Sequence, residues 1–67
     1  MCESNVYLAE AETETLLMES VGWIEFEEGR IRLRDMLGQE RTLDARVKYA
    51  DLVQHRIVLE PVGATDA

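Results

Sequence analysis

Apolar and polar residues alternate along much of this chain, the pattern of a strand with one buried and one wet face. The clearest stretch is Arg30-Ile31-Arg32-Leu33-Arg34, which sets Ile31 and Leu33 on one side and three arginines on the other. In Leu43-Asp44-Ala45-Arg46-Val47-Lys48-Tyr49 the same period puts Leu43, Ala45, Val47 and Tyr49 on one face. His55-Arg56-Ile57-Val58-Leu59-Glu60 is rich in β-branched residues, which favour strands. Asn5-Val6-Tyr7-Leu8 and Gly22-Trp23-Ile24-Glu25-Phe26-Glu27 are further strand candidates. Residues 9–19 are full of good helix formers, yet they lie between strand-like neighbours. We therefore expect a turn near residues 10–13 and a strand over residues 15–19.

The punctuation agrees with hairpins. Glu28-Gly29 separates two strand candidates, and glycine takes a positive φ at little steric cost. Gly38-Gln39 has glycine first, as a two-residue type II′ hairpin loop requires. The pattern predicts an all-β single domain, a small barrel or sandwich of about six short antiparallel strands over residues 1–60. Residues 61–67 are small or turn-forming and read as a loose C-terminal tail. The expected apolar set is Val6, Leu8, Leu17, Ile24, Ile31, Leu33, Leu43, Val47, Ile57 and Leu59.

Length changes the picture. A chain of 67 residues buries a small core, and domains of this size usually need a disulfide, a metal or a partner chain. A single cysteine excludes an intrachain disulfide, leaving a metal, an oligomer or both. The lone thiol, with no signal-like or membrane-length apolar run, points to the cytoplasm. The net charge of −7, from 14 acidic and 7 basic side chains, disfavours nucleic acid, whose phosphates are bound largely by Lys and Arg. The acids crowd the first half and every Lys and Arg lies from Arg30 onward, as expected of solvated faces that pair across hairpins.

Signatures of enzymes are missing: there is no GxGxxG, P-loop, CxxC, HExxH or GxSxG. A Cys2–His55 catalytic pair would need a substrate pocket that so short a chain can hardly enclose, so no enzyme is expected. The informative residue is Cys2. Were Met1 removed, the thiolate and α-amine of one residue would close a five-membered chelate ring. Were Met1 retained, its amine, the Cys2 amide nitrogen and the thiolate would align as three donors. Both sets suit Ni(II) or Cu(II). A two-fold dimer would bring two Cys2 residues to one site. Against this stands the plain reading of Cys2 as a small buried residue. His55, the one imidazole, is a weaker candidate ligand or simply a half-exposed strand residue. Glu3 would attract cations through its field. Tyr7, Trp23, Phe26 and Tyr49 fit core and interface positions better than a base-stacking platform.

Three stretches carry a family resemblance: Met1-Cys2-Glu3-Ser4-Asn5-Val6-Tyr7-Leu8, the central Gly29-Arg30-Ile31-Arg32-Leu33-Arg34-Asp35-Met36-Leu37-Gly38, and the closing 52–60. They resemble the CooT family, small nickel-binding proteins linked to maturation of carbon monoxide dehydrogenase. The resemblance implies a homodimer, a β-barrel-like fold similar to Sm-like folds and to the chaperone HypC, and Ni(II) held by Cys2. A nickel enzyme or its maturation factors would be the partner. Family members are often labelled predicted RNA-binding proteins, and a non-metal interaction module is the alternative function.

Overall fold

The computed structural model describes residues 3–62. Six strands follow in chain order: β1 Ser4–Glu10, β2 Thr13–Glu27, β3 Arg30–Asp35, β4 Glu40–Leu43, β5 Ala45–Asp51 and β6 Arg56–Pro61. All six join one sheet in the order β4-β3-β2-β1-β6-β5. The all-β expectation holds, with two corrections. β1 and β6 run parallel, aligned from Asn5 with Arg56 to Leu8 with Leu59, so the sheet is mixed and not purely antiparallel. The sheet also ends in two edges, β4 and β5, and does not close into a barrel.

Local chemistry explains the elements. The acidic stretch of helix formers becomes strand because Ala11 takes a φ of 56°, turning the chain so that residues 13–18 pair back on β1. Strand residues expected in two pieces, 15–19 and 22–27, form one long β2. It bends at Ser20, whose φ of 56° interrupts the pleat, and slips register around Leu17 and Gly22. The 28–29 hairpin places Gly29 at φ 68°. The expected two-residue turn at Gly38-Gln39 is instead a longer loop over 36–39. There the Asp35 carboxylate accepts from the backbone N–H groups of Leu37 and Gln39, both at 2.9 Å. The stretch 43–49 is split by a bend at Asp44. β6 extends through Pro61, and the Val62 N–H donates to the Asp44 carbonyl at 3.2 Å. The rest of the expected tail, 63–67, lies outside the described residues.

The core lies on one face of the sheet. Val6, Val21, Ile31, Leu33, Ala45 and Leu59 are buried there, ringed by half-buried Leu8, Leu17, Met18, Ile24, Leu43, Val47 and Ile57. Every expected apolar residue belongs to this cluster. Tyr49 does not: a register slip at Lys48 pairs it with Val58 on the opposite face, whereas Val47 pairs with Leu59. On that second face Val58 is fully buried and Ala9 nearly so. The expected charge pairing is present as well. Arg32 reaches Glu25 and Glu27, Arg34 reaches Glu40, and Arg46 reaches Glu60, at 2.8–3.1 Å. These pairs are exposed and contribute little each, at most about 1 kcal/mol.

Candidate functional site

The parallel β1–β6 pairing brings the start of β1 against the loop that enters β6. The Asn5 N–H donates to the His55 carbonyl at 2.9 Å, and the Asn5 Oδ1 accepts from the Ser20 N–H at 3.2 Å. Both partners stand at φ 56°, a left-handed conformation uncommon for residues with a side chain. Asn5 thus ties a kinked residue of β2 and a kinked residue before β6 to the first strand. Between them is an open, polar recess of about 330 Å³, lined by Glu3, Asn5, Ser20, Gln54 and His55.

Met1 and Cys2 lie outside the described residues. Glu3, the covalent neighbour of Cys2, lines the recess, and so does His55. The two described residues singled out from sequence for a cation site therefore meet there. Asn5, Ser20 and Gln54 were not foreseen. Nothing in the alternation marks Ser20 as a kink in the middle of a strand, and Asn5 read as an ordinary strand residue. Among the described residues no group of three His, Cys, Asp or Glu side chains is placed to hold a metal. A metal bound at this end would need donors from residues 1–2, a second copy, or both, with His55 and Glu3 as the side chains at hand.

A second cluster crosses the outer face. The Arg56 guanidinium bonds the Glu14 carboxylate and stacks over the Tyr7 ring, 4.1 Å from its centre. The Tyr49 hydroxyl donates to Glu14 at 3.0 Å. The bonds from Arg56, then Tyr49, hold the Glu14 carboxyl below its ordinary range, and Glu14 in turn raises Arg56. This lattice ties β1, β2, β5 and β6 together and covers Val58, which is the structural work of a small second core.

These features define a small all-β domain with an open, polar recess at the start of its first strand. No helix among the described residues is long and apolar enough to cross a membrane. The model of the family described as CO dehydrogenase accessory protein CooT matches residues 1–60. A crystal structure designated CooT from Carboxydothermus hydrogenoformans superposes with a TM-score of 0.84 at 32% identity, covering 90% of this chain and 97% of that one. An uncharacterised protein of Methanothermobacter thermautotrophicus is 42% identical over 60 residues, 90% of this chain and 89% of its own. The chain belongs to the CooT family of CO dehydrogenase accessory proteins.

Proposed function

We propose that this protein is a nickel-binding accessory protein that holds Ni(II) through Cys2 and passes it on during maturation of carbon monoxide dehydrogenase or another nickel enzyme. The observation that carries the reading is the recess: Glu3, next to Cys2 in the chain, shares it with His55, the one imidazole of the sequence. The thiolate of Cys2 is the main ligand, the Met1 amine joins it if that residue is retained, and His55 is a supplementary donor. The working form is a homodimer in the reducing cytoplasm, where a lone thiol stays reduced. Half-buried apolar residues around the core, such as Leu8 and Val47, support a partner copy. An open terminal site suits transfer, since a recipient's ligands can displace its donors one at a time.

Native mass spectrometry of the wild type and Cys2→Ser, each with added nickel, tests the proposal. One nickel per dimer, lost in the variant, is the expected result. Nickel binding that survives the substitution removes Cys2 from the site. Salt-sensitive RNA binding without specific nickel uptake would favour the interaction-module alternative.

A further inference from the structure

β2 is paired on both sides only over part of its length. Residues 13–18 and 21 pair with β1, but β3 pairs only with residues 21–27. Among the described residues, no strand pairs with the other edge of residues 13–20. Its backbone partners there are the Met36 N–H on the Ser20 carbonyl, at 2.9 Å, and a long contact of 3.5 Å from Arg41 Nη1 to the Leu17 carbonyl. Beside this edge runs an open groove of about 770 Å³. Leu16, Leu17 and Met18 form one wall, and Met36 and Leu37 of the 36–39 loop stand opposite. Leu37 is 86% exposed and Met36 56%, a large apolar surface to leave in water.

An open edge is a template for another strand, and proteins that do not use one usually guard it with lysine, proline or a bulge. The contrast with β5 is direct. That edge carries Arg46 and Lys48, with a register slip at Lys48. The β2 edge carries no Lys, Arg or Pro; the first cation in the sequence is Arg30. Glu14 is bonded to Arg56 and Tyr49 on the outer face, which leaves Glu19 as the edge's unpaired charge among the described residues, and Glu19 lines the groove. The groove's other charged groups are committed: Glu40 is paired with Arg34, Asp35 caps its own loop, and Arg41, the one cation of the lining, reaches the Leu17 carbonyl.

We propose that this edge and groove receive an extended segment of a partner protein, with lysine or arginine alternating with apolar side chains, added as a strand to residues 13–20 of β2. Backbone bonds along the edge supply affinity, while Leu16, Leu17, Met36 and Leu37 take the apolar side chains. Glu19 selects cations. A second copy is disfavoured in the two-fold register centred between Leu16 and Leu17, where each Glu14 would face a Glu19 and like charges directly opposite are destabilising. The groove also shares Ser20 with the recess that Glu3 lines. The surface stands on the edge and its charge, independently of nickel.

The probe is a blocked peptide of alternating lysine and valine, compared with its glutamate–valine counterpart. Amide hydrogen exchange read by NMR should slow by about tenfold or more in residues 13–20 with the lysine peptide. The glutamate peptide should leave those residues unchanged. Leu37→Ser, at a solvent-exposed loop position, should weaken binding several-fold, and Glu19→Lys should reverse the preference between the two peptides. Protection spread over the whole acidic surface, or a Glu19→Lys variant that keeps the preference, overturns the proposal. So does protection of residues 13–20 in the protein alone that deepens with its concentration, which would assign the edge to a second copy.

Discussion

His55 offers a test that separates backbone from imidazole. Its φ of 56° holds its carbonyl on the Asn5 N–H at 2.9 Å, and this bond anchors the start of β1 beside the recess. A left-handed conformation costs an L-residue roughly 1–2 kcal/mol, and glycine escapes that cost. Glycine also loosens the unfolded chain, which takes back about 0.4–1 kcal/mol. His55→Gly should therefore leave stability unchanged or raise it by up to about 1.6 kcal/mol. His55→Val should lose about 1–2 kcal/mol, because a β-branched side chain at positive φ is a true outlier. Urea unfolding followed by Trp23 fluorescence, at one protein concentration, reads the difference as a midpoint shift of about 1 M. Equal midpoints for the valine and glycine variants would refute the backbone argument. Nickel titration of His55→Gly then reports the imidazole alone. Its affinity should fall by less than that of Cys2→Ser, and an equal loss would make His55 a principal ligand.

Leu33 is fully buried at the centre of β3, so Leu33→Ala should cost about 2–5 kcal/mol, a large share of what a domain of this size possesses. Leu37→Ala, on the exposed loop, should stay within about 0.5 kcal/mol in the same denaturation assay. Nickel affinity should fall as pH drops from about 8 to about 6, because thiolate and amine must both be unprotonated to bind; a flat calorimetric titration series would argue against that donor pair. Glu14 makes an acid-side prediction. Its folded-state carboxyl lies below its ordinary value of about 4.5, so its contribution is fully present above that value and is lost as pH falls through the lowered one. The gap in urea midpoint between wild type and Glu14→Gln should therefore close between neutral pH and the acid limb, and a gap constant down to that limb would show that Glu14 gains nothing from Arg56 and Tyr49.

Alternation reports which face a residue occupies, and for the straight strands that was enough. Ile31, Leu33, Ile57 and Leu59 sit where the period of two puts them, and Arg32 and Arg34 of β3 find glutamates on β2 and β4. The pattern fails where a strand carries an extra residue. A slip at Lys48 turns Tyr49 from the core to Glu14 on the far face, and slips at Leu17 and Gly22 hide inside what is one continuous β2. Nor does alternation name a partner: the hairpins were legible from their glycines, but the β1–β6 pairing joins the two ends of the domain with no local signal. Ala11 and Ser20 at positive φ are likewise silent, since neither residue type announces that conformation.

The unforeseen features are the ones that assemble the recess. The recess exists because β6 lies parallel to β1, which brings His55 level with Asn5, and because β2 kinks at Ser20 to offer its N–H to the Asn5 side chain. Remove either irregularity and Glu3, Gln54 and His55 would have no shared wall. The same kink ends the pairing of β2 with β3 and leaves residues 13–20 with an open edge. One backbone irregularity, at Ser20, thus borders both the N-terminal recess and the acidic groove. Asn5→Ala, which takes away the acceptor of the Ser20 N–H, should accordingly disturb amide shifts on both sides of Ser20 while leaving Ile31 and Leu33, on the neighbouring strand, unmoved.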